Sequence, residues 1–272
     1  MWKEETYLEI IRKNGLMIQY VKEQTEELCI EAIKQNWLAI SHIKNLTEKI
    51  CIEAIRQEPT AIEKISNIYR SKTVCREAIV RKPELFSILS DPDKDLTYLA
   101  ISLDGTNIRY VKNPTEEMQI MAVRQNGMAL TYISNKTDYV IKEAIKQNPI
   151  AIRFVKNASE ELWKMALKLD ISLIERMYDL KLLSVYKHLI VKERIGREDL
   201  YMGCIDGEYY YSIGKHKNVT GDYLKLLLFA TDENYEFKYR CDLNLSPYKE
   251  KIFKLIDEYE STTNNELEVV AE

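Results

Sequence analysis

Residues 25–36 read Thr-Glu-Glu-Leu-Cys-Ile-Glu-Ala-Ile-Lys-Gln-Asn, and residues 143–149 return to the same phrase as Glu-Ala-Ile-Lys-Gln-Asn-Pro. Aligning the chain with itself at a shift of 22 residues extends the echo to units beginning at Thr25, Thr47, Ser71, Asp93, Thr115, Thr137 and Ser159, with one two-residue insertion near Tyr69-Arg70. A fixed period of this size marks a tandem repeat. The first column holds only residues whose side-chain oxygen can accept from the orphan N–H groups of a helix start, so each unit opens on an N-cap. The eighth column is Ala32, Ala54, Ala78, Ala100, Ala122, Ala144 and Ala166 without exception. Four residues earlier stand Leu28, Ile50, Val74, Leu96, Met118, Val140 and Leu162. This spacing buries one face of a helix. Invariant alanine predicts a close approach of neighbouring backbone, because a larger side chain would overpack the contact by about 1–3 kcal/mol.

Breaker chemistry follows each of these helices. Asn36-Trp37, Glu58-Pro59, Lys82-Pro83, Asp104-Gly105, Asn126-Gly127 and Asn148-Pro149 mix C-cap and proline stops at one place. A shorter apolar cluster then appears, such as Ala39-Ile40 with Ile43 or Ala129-Leu130 with Ile133. It predicts a second helix, so each unit reads as a helical hairpin. Asn45, Asn67, Asp91, Asn113, Asn135, Asn157 and Asp179 close the units with residues that favour turns. A partial copy over Ile10–Lys22 supplies a starting unit. One hairpin of this size cannot bury its own apolar face, so the units must stack around a shared core. The fold class expected is mainly α, a solenoid of about eight 22-residue helical hairpins followed by a small α+β C-terminal module.

The phrase at residues 25–36, its echo at Glu143–Pro149 and the stretch Phe154-Val155-Lys156-Asn157 resemble the helical repeats of domain of unknown function 4116. The resemblance covers roughly two thirds of the chain. It implies a phage, giant-virus or bacterial source and a part in conflict between host and phage. It transfers no catalytic residue.

Length and composition fit this reading. A chain of 272 residues with 46% apolar and 30% charged residues can bury a core without disulfides. Cys29, Cys51, Cys75, Cys204 and Cys241 are odd in number and show no close pair, which excludes a disulfide framework. No apolar run approaches the roughly 18 residues of a membrane span, and Met1-Trp2-Lys3-Glu4-Glu5 lacks a signal-peptide core. The expected location is cytoplasmic, in a bacterial cell or an infected host, with no membrane partner.

Composition shifts after residue 180. Residues 181–272 hold five of the eight Gly and ten of the eighteen Tyr. The division expected is a repeat solenoid over 1–180, an α+β module over 181–260 and a flexible acidic tail over 261–272. Within the module, Lys181–Val191 reads as a capping helix. Leu200–Ile205 and Glu208–Ile213 read as two strands about the hairpin dipeptide Asp206-Gly207. Thr220 opens a helix through Phe229, Tyr235–Cys241 reads as a third strand, and Ser246-Pro247 starts a helix to about Glu260.

The charge sum is 39 Lys and Arg against 43 Asp and Glu, a net -4. All of it lies after residue 180, for the repeat region carries 26 of each sign. Two repeat columns nevertheless collect cations. Arg12, Lys34, Arg56, Arg124, Lys146 and Lys168 share one, and Lys22, Lys44, Lys112 and Lys156 share another. Each forms either a basic ladder for an acidic surface or phosphate backbone, or a set of dipole-complementing residues paired with glutamates. Tyr110 and Tyr132 sit with Tyr20, Phe154, His42, Lys64, Ile88 and Arg176 in a column of mixed polarity, either binding anchors or packing rings. Cys29, Cys51 and Cys75 share a column that later units fill with Thr97, Gln119, Ile141 and Trp163, so they read as small buried thiols and not as zinc ligands.

No nucleotide loop, nucleophile elbow, metal set or catalytic constellation is present in the sequence. The functional expectation is a non-enzymatic macromolecular binding protein, without cofactor, whose repeat surface meets a protein such as a host defence protein. The alternative is nucleic-acid binding along the Lys/Arg ladder, with homo-oligomerisation through the C-terminal module as a further expectation.

Overall fold

The computed structural model describes residues 4–176, 190–195, 198–205, 208–213, 216–219 and 249–271. The chain divides into two compact units, Met1–Asn135 and Lys136–Glu272. The first contains helices α1 (Glu4–Lys13), α2 (Glu26–Gln35), α3 (Glu48–Gln57), α4 (Lys72–Arg81), α5 (Lys94–Leu103) and α6 (Glu116–Gln125). Each α-helix packs on the next, and Thr25, Thr47, Ser71, Asp93 and Thr115 cap α2 to α6 by accepting from the amide three residues on. The first-column reading therefore holds in local structure.

The second element of each unit differs from expectation. It is a 3-10 helix of six residues, at Gly15–Tyr20, Trp37–His42, Pro59–Lys64, Pro83–Ile88, Gly105–Tyr110 and Gly127–Tyr132. Its brevity and the three-residue step from Ile40 to Ile43, where the Ile43 N–H donates to the Ile40 carbonyl at 3.3 Å, favour the tighter winding. The residue read as a stop has two roles. At Asn36 the backbone N–H donates to the Ala32 carbonyl and ends the α-helix, while the side-chain Oδ1 accepts from the Leu38 amide at 3.0 Å and starts the 3-10 helix. Asn14, Glu58, Asp104 and Asn126 accept in the same way from Leu16, Thr60, Thr106 and Met128. Lys82 makes no such side-chain cap.

The alanine column is completely buried, and the expected close approach is real. The approaching backbone is the start of the preceding 3-10 helix. A Cβ added at Gly15 would lie 2.2 Å from the Ala32 carbonyl oxygen, and one at Gly105 would lie 2.3 Å from that of Ala122. The next repeat also supplies a glutamine to each glycine: the Gly15 N–H donates to Gln35 Oε1 at 2.6 Å and that of Gly105 to Gln125 Oε1 at 2.7 Å.

The inserted residues near Tyr69-Arg70 form an extra 3-10 turn, Asn67–Tyr69. Asn67 belongs to this turn, and among the described non-glycine residues only Asn157 of the unit-closing column takes positive φ, at 52°.

The second unit repeats the motif in α7 (Asp138–Gln147) and α8 (Glu160–Leu169), with 3-10 helices at Pro149–Phe154 and Ile171–Arg176. It then forms an antiparallel meander of β1 (Ile190–Ile195), β2 (Glu198–Ile205), β3 (Glu208–Ile213) and β4 (His216–Val219), followed by helix α9 (Lys249–Ala271). The β2–β3 hairpin has the expected register, with Ile205 opposite Glu208. The strands β1 and β4 went unread. Ile190-Val191, assigned to a capping helix, instead pair with Gly203 and Met202 in β1, where β-branched residues fit a pleated surface. The sheet itself packs on the Ile171–Arg176 segment, so strands cover the last repeat. The rest of the capping helix, the helix from Thr220 to Phe229 and the strand Tyr235–Cys241 lie outside the described residues.

One face of the sheet joins α9 in a core of Ile195, Leu200, Met202, Tyr211, Ile213, Ile252, Ile256 and Tyr259. The stretch from Ser261, expected as a loose tail, continues α9 to Ala271. It contains no Gly or Pro to stop the helix, and the buried Thr263 hydroxyl donates to the Tyr259 carbonyl at 2.8 Å.

Because the obstacle at Gly105 is backbone that cannot rotate away, Gly105→Ala is expected to lower the urea midpoint of the full chain by the equivalent of about 1–3 kcal/mol. Circular dichroism during urea titration measures it, and an unchanged midpoint would contradict the close approach.

Candidate interaction surface

The first cationic column lies in the last turn of the α-helices, where it complements the helix dipole. Four of its six members face glutamates. Lys34 Nζ lies 2.9 Å and Arg12 Nε 3.6 Å from Glu31, and Arg56 Nε lies 3.3 Å from Glu77, which also takes Arg81 at 2.9 Å. In the second unit Lys146 pairs with Glu143 at 2.7 Å. Arg124 and Lys168 occupy the same turn of α6 and α8. The Lys34 hydrogen bond, with Arg12 assisting, holds Glu31 below the usual carboxylate value, and Arg81 does the same for Glu77. The pairs Arg12–Glu31 and Arg56–Glu77 tie one repeat to the next. Arg12, Lys34, Arg56 and Lys146 thus match the dipole and ion-pair reading.

The other end of the α-helices carries a second set of seams. Thr47 Oγ1 donates to Glu26 at 2.9 Å, Lys49 pairs with Glu26 at 2.9 Å, and Lys72 bridges Asp93 and Asp95. The Tyr98 hydroxyl donates to Glu117 at 2.6 Å, which pushes the phenol up from its ordinary value.

The second cationic column has a different setting. Lys22, Lys44 and Lys112 follow the ends of their 3-10 helices by two residues and are exposed. Lys44 Nζ donates to the Lys22 carbonyl at 3.3 Å, and no carboxylate pairs with Lys22 or Lys112 among the described residues. The mixed-polarity column ends the same 3-10 helices. Tyr20 is 73% exposed, Tyr110 43% and Tyr132 45%, so all three present surface to solvent. Arg109 lies between two of them, its guanidinium carbon 4.7 Å from the Tyr110 ring centroid and 5.5 Å from that of Tyr132. Sequence reading missed Arg109, because its column holds Gln19, Ser41, Glu63, Ser87, Thr131 and Glu175 and repeats the cation only at Arg153. In the second unit Phe154 is exposed and Lys156 follows it; burial, then the charge of Lys156, lowers the ammonium of Lys136 from its ordinary value.

The insertion at residues 66–72 opens a cavity of about 280 Å³ lined by Asn67, Arg70, Lys72, Cys75, Ser90 and Asp93 among others. Its polar walls hold one another: Asn67 Nδ2 donates to Ser90 Oγ, and Arg70 donates to the Ile65 and Ile88 carbonyls at 2.9 and 3.3 Å. In the first repeat Gln24 bridges the Ile18 and His42 carbonyls, both at 3.0 Å. Arg70 is its counterpart across a longer gap.

Cys29, Cys51 and Cys75 are buried free thiols. Burial, reinforced by Glu26 and Glu48, pushes Cys29 and Cys51 up to about 11. No three His, Cys, Asp or Glu side chains assemble into a metal-binding group, and no helix is long and apolar enough to cross a membrane, among the described residues. Two buried amides interrupt the apolar core instead. Asn107, fully buried, donates to the Pro83 and Ala100 carbonyls at 3.1 Å, but its Oδ1 has no partner; Gln119 Oε1 is likewise unpaired.

Residues 3–47 match the family model described as a domain of unknown function (DUF4116), a span that takes in the starting unit and the repeat from Thr25. No curated protein and no solved structure matches the chain.

Two outcomes follow from the buried groups. The raised thiols bind their protons more tightly folded than unfolded, where cysteine titrates near about 8.5. Stability is therefore expected to fall as pH rises from about 8.5 toward 11, and Cys29→Ala with Cys51→Ala should flatten that slope in urea titrations at successive pH values. Neighbouring repeats hold Ala or Leu at the Asn107 position, so Asn107→Leu, which removes an orphaned acceptor, is expected to melt at or above the wild-type temperature. Asn107→Asp, which would bury a charge, should melt well below it; equal melting of Asn107→Asp and wild type would contradict the burial.

Proposed function

We propose that the protein is a non-enzymatic binding protein that meets a partner protein through the ends of its 3-10 helices. The observation that carries this reading is the recurrence of exposed rings in one repeat column, Tyr20, Tyr110 and Tyr132, on a rigid stack. Tyrosine and arginine are the side chains that most often dominate protein interfaces, because they bury large area for few rotatable bonds. A ring exposed by more than two fifths and repeated by the architecture has a cost in water that a partner would remove.

Nucleic-acid binding requires cations free to replace counterions along a phosphate tract. Arg12, Lys34, Arg56 and Lys146 instead face carboxylates, which disfavours that ladder. The distribution implied by the repeat family makes host defence proteins the first partners to try.

The double variant Tyr110→Ala, Tyr132→Ala is expected to lose a stoichiometric protein partner that the wild type captures and that purified components rebind, while Arg56→Gln retains it. Loss with Arg56→Gln and retention with the tyrosine variant would overturn the assignment of the surface. A salt-sensitive mobility shift with DNA or RNA, abolished by Arg56→Gln, would replace it with the nucleic-acid reading.

A further inference from the structure

Arg109 differs from Arg12, Arg56, Arg70 and Arg81 in its surroundings. Arg12, Arg56 and Arg81 each meet a glutamate, and Arg70 is committed to two carbonyls. Arg109 is exposed, lies against two rings and has no carboxylate partner among the described residues. The two rings restrict the rotamers of the guanidinium, and their hydroxyls accept hydrogen bonds from it. A guanidinium carries five N–H donors in a planar fork, so donors remain for a ligand, already oriented. That fork matches the two oxygens of a carboxylate, and pre-orientation reduces the entropy lost on binding.

We infer that Arg109, held between Tyr110 and Tyr132, is an anchor for a side-chain carboxylate of an acidic protein segment. This rests on the reading of the 3-10 ends as a binding face and assigns the chemistry of what binds there. The surrounding charge agrees with it. Lys112 lies two residues beyond Tyr110, and the exposed ends of these two 3-10 helices, residues 109–110, 112–113, 131–132 and 134–135, contain no acidic residue. The same surface fits a nucleic-acid backbone poorly. The Arg109 position is Glu63, Ser87 and Thr131 in the flanking repeats and arginine again only at Arg153, so the repeats offer no regular row of guanidinium groups. One anchor between aromatic rings suits a single carboxylate beside apolar contacts.

The test uses the full chain and three fluorescent probes at low ionic strength: octaglutamate, octaglutamine and octathymidylate. Octaglutamate is expected to bind and octaglutamine not. Arg109→Gln should weaken octaglutamate by about tenfold or more, as loss of a bidentate charge pair does. Arg109→Lys should weaken it comparably, because it keeps the charge and loses the planar fork. Lys112→Gln, which removes an unstacked charge, should weaken it by less than about threefold. Wild-type affinity in either Arg109 variant, failure of octaglutamate to bind, or tighter binding of octathymidylate would each overturn the inference. If octaglutamate fails while Tyr110→Ala, Tyr132→Ala still loses the captured partner, the binding face stands and its carboxylate chemistry falls.

Discussion

The architecture depends on one residue per repeat that ends one helix and begins another. At Asn36 the backbone completes the α-helix by donating to Ala32, and the side chain opens the 3-10 helix by accepting from Leu38. Both bonds fix the dihedral angles of a single junction, so the angle between the two helices is set locally and copied wherever Asn, Asp or Glu recurs at that position. The stack then needs only one further condition, that neighbouring backbones come close. Alanine and glycine supply it where the Ala32 and Ala122 carbonyls meet Gly15 and Gly105. Once these are in place, every other column becomes a line of side chains at repeating intervals within the stack.

That geometry separates two kinds of charge. Cations in the last turn of an α-helix fall beside glutamates of their own or the next repeat and become part of the structure. Cations beyond the 3-10 helices fall beyond that reach, beside exposed tyrosines. The net balance of the repeat region conceals this difference, because charge totals contain no information about which face a residue occupies.

Much of the repeat was legible because its signals are local. The N-cap column, the alanine column and the buried stripe each follow from spacing along one helix. The 3-10 winding was not legible, since six apolar-patterned residues satisfy both helical periods and the deciding hydrogen bond comes from a side chain read as a stop. The β2–β3 hairpin was visible through Asp206-Gly207 and alternating residues, whereas β1 was hidden: Lys192-Glu193-Arg194 places three charges between its apolar ends and resembles a helix surface. Of the surface, the columns with Tyr110, Tyr132 and Lys112 were found by period. Arg109 was not, because its column repeats the cation only at Arg153 and the residue matters through the two rings that the fold places around it.

The irregular seam at residues 66–72 has an implication for how such a chain can change length. Gln24 connects the Ile18 and His42 carbonyls with a short amide, and Arg70, after two added residues, connects those of Ile65 and Ile88 with a long guanidinium. A slip in copying that would misalign a β-sheet is here absorbed by exchanging one donor for a longer one. Small length errors at such seams leave the flanking repeats in place, which gives duplication and drift room to operate on the array one joint at a time.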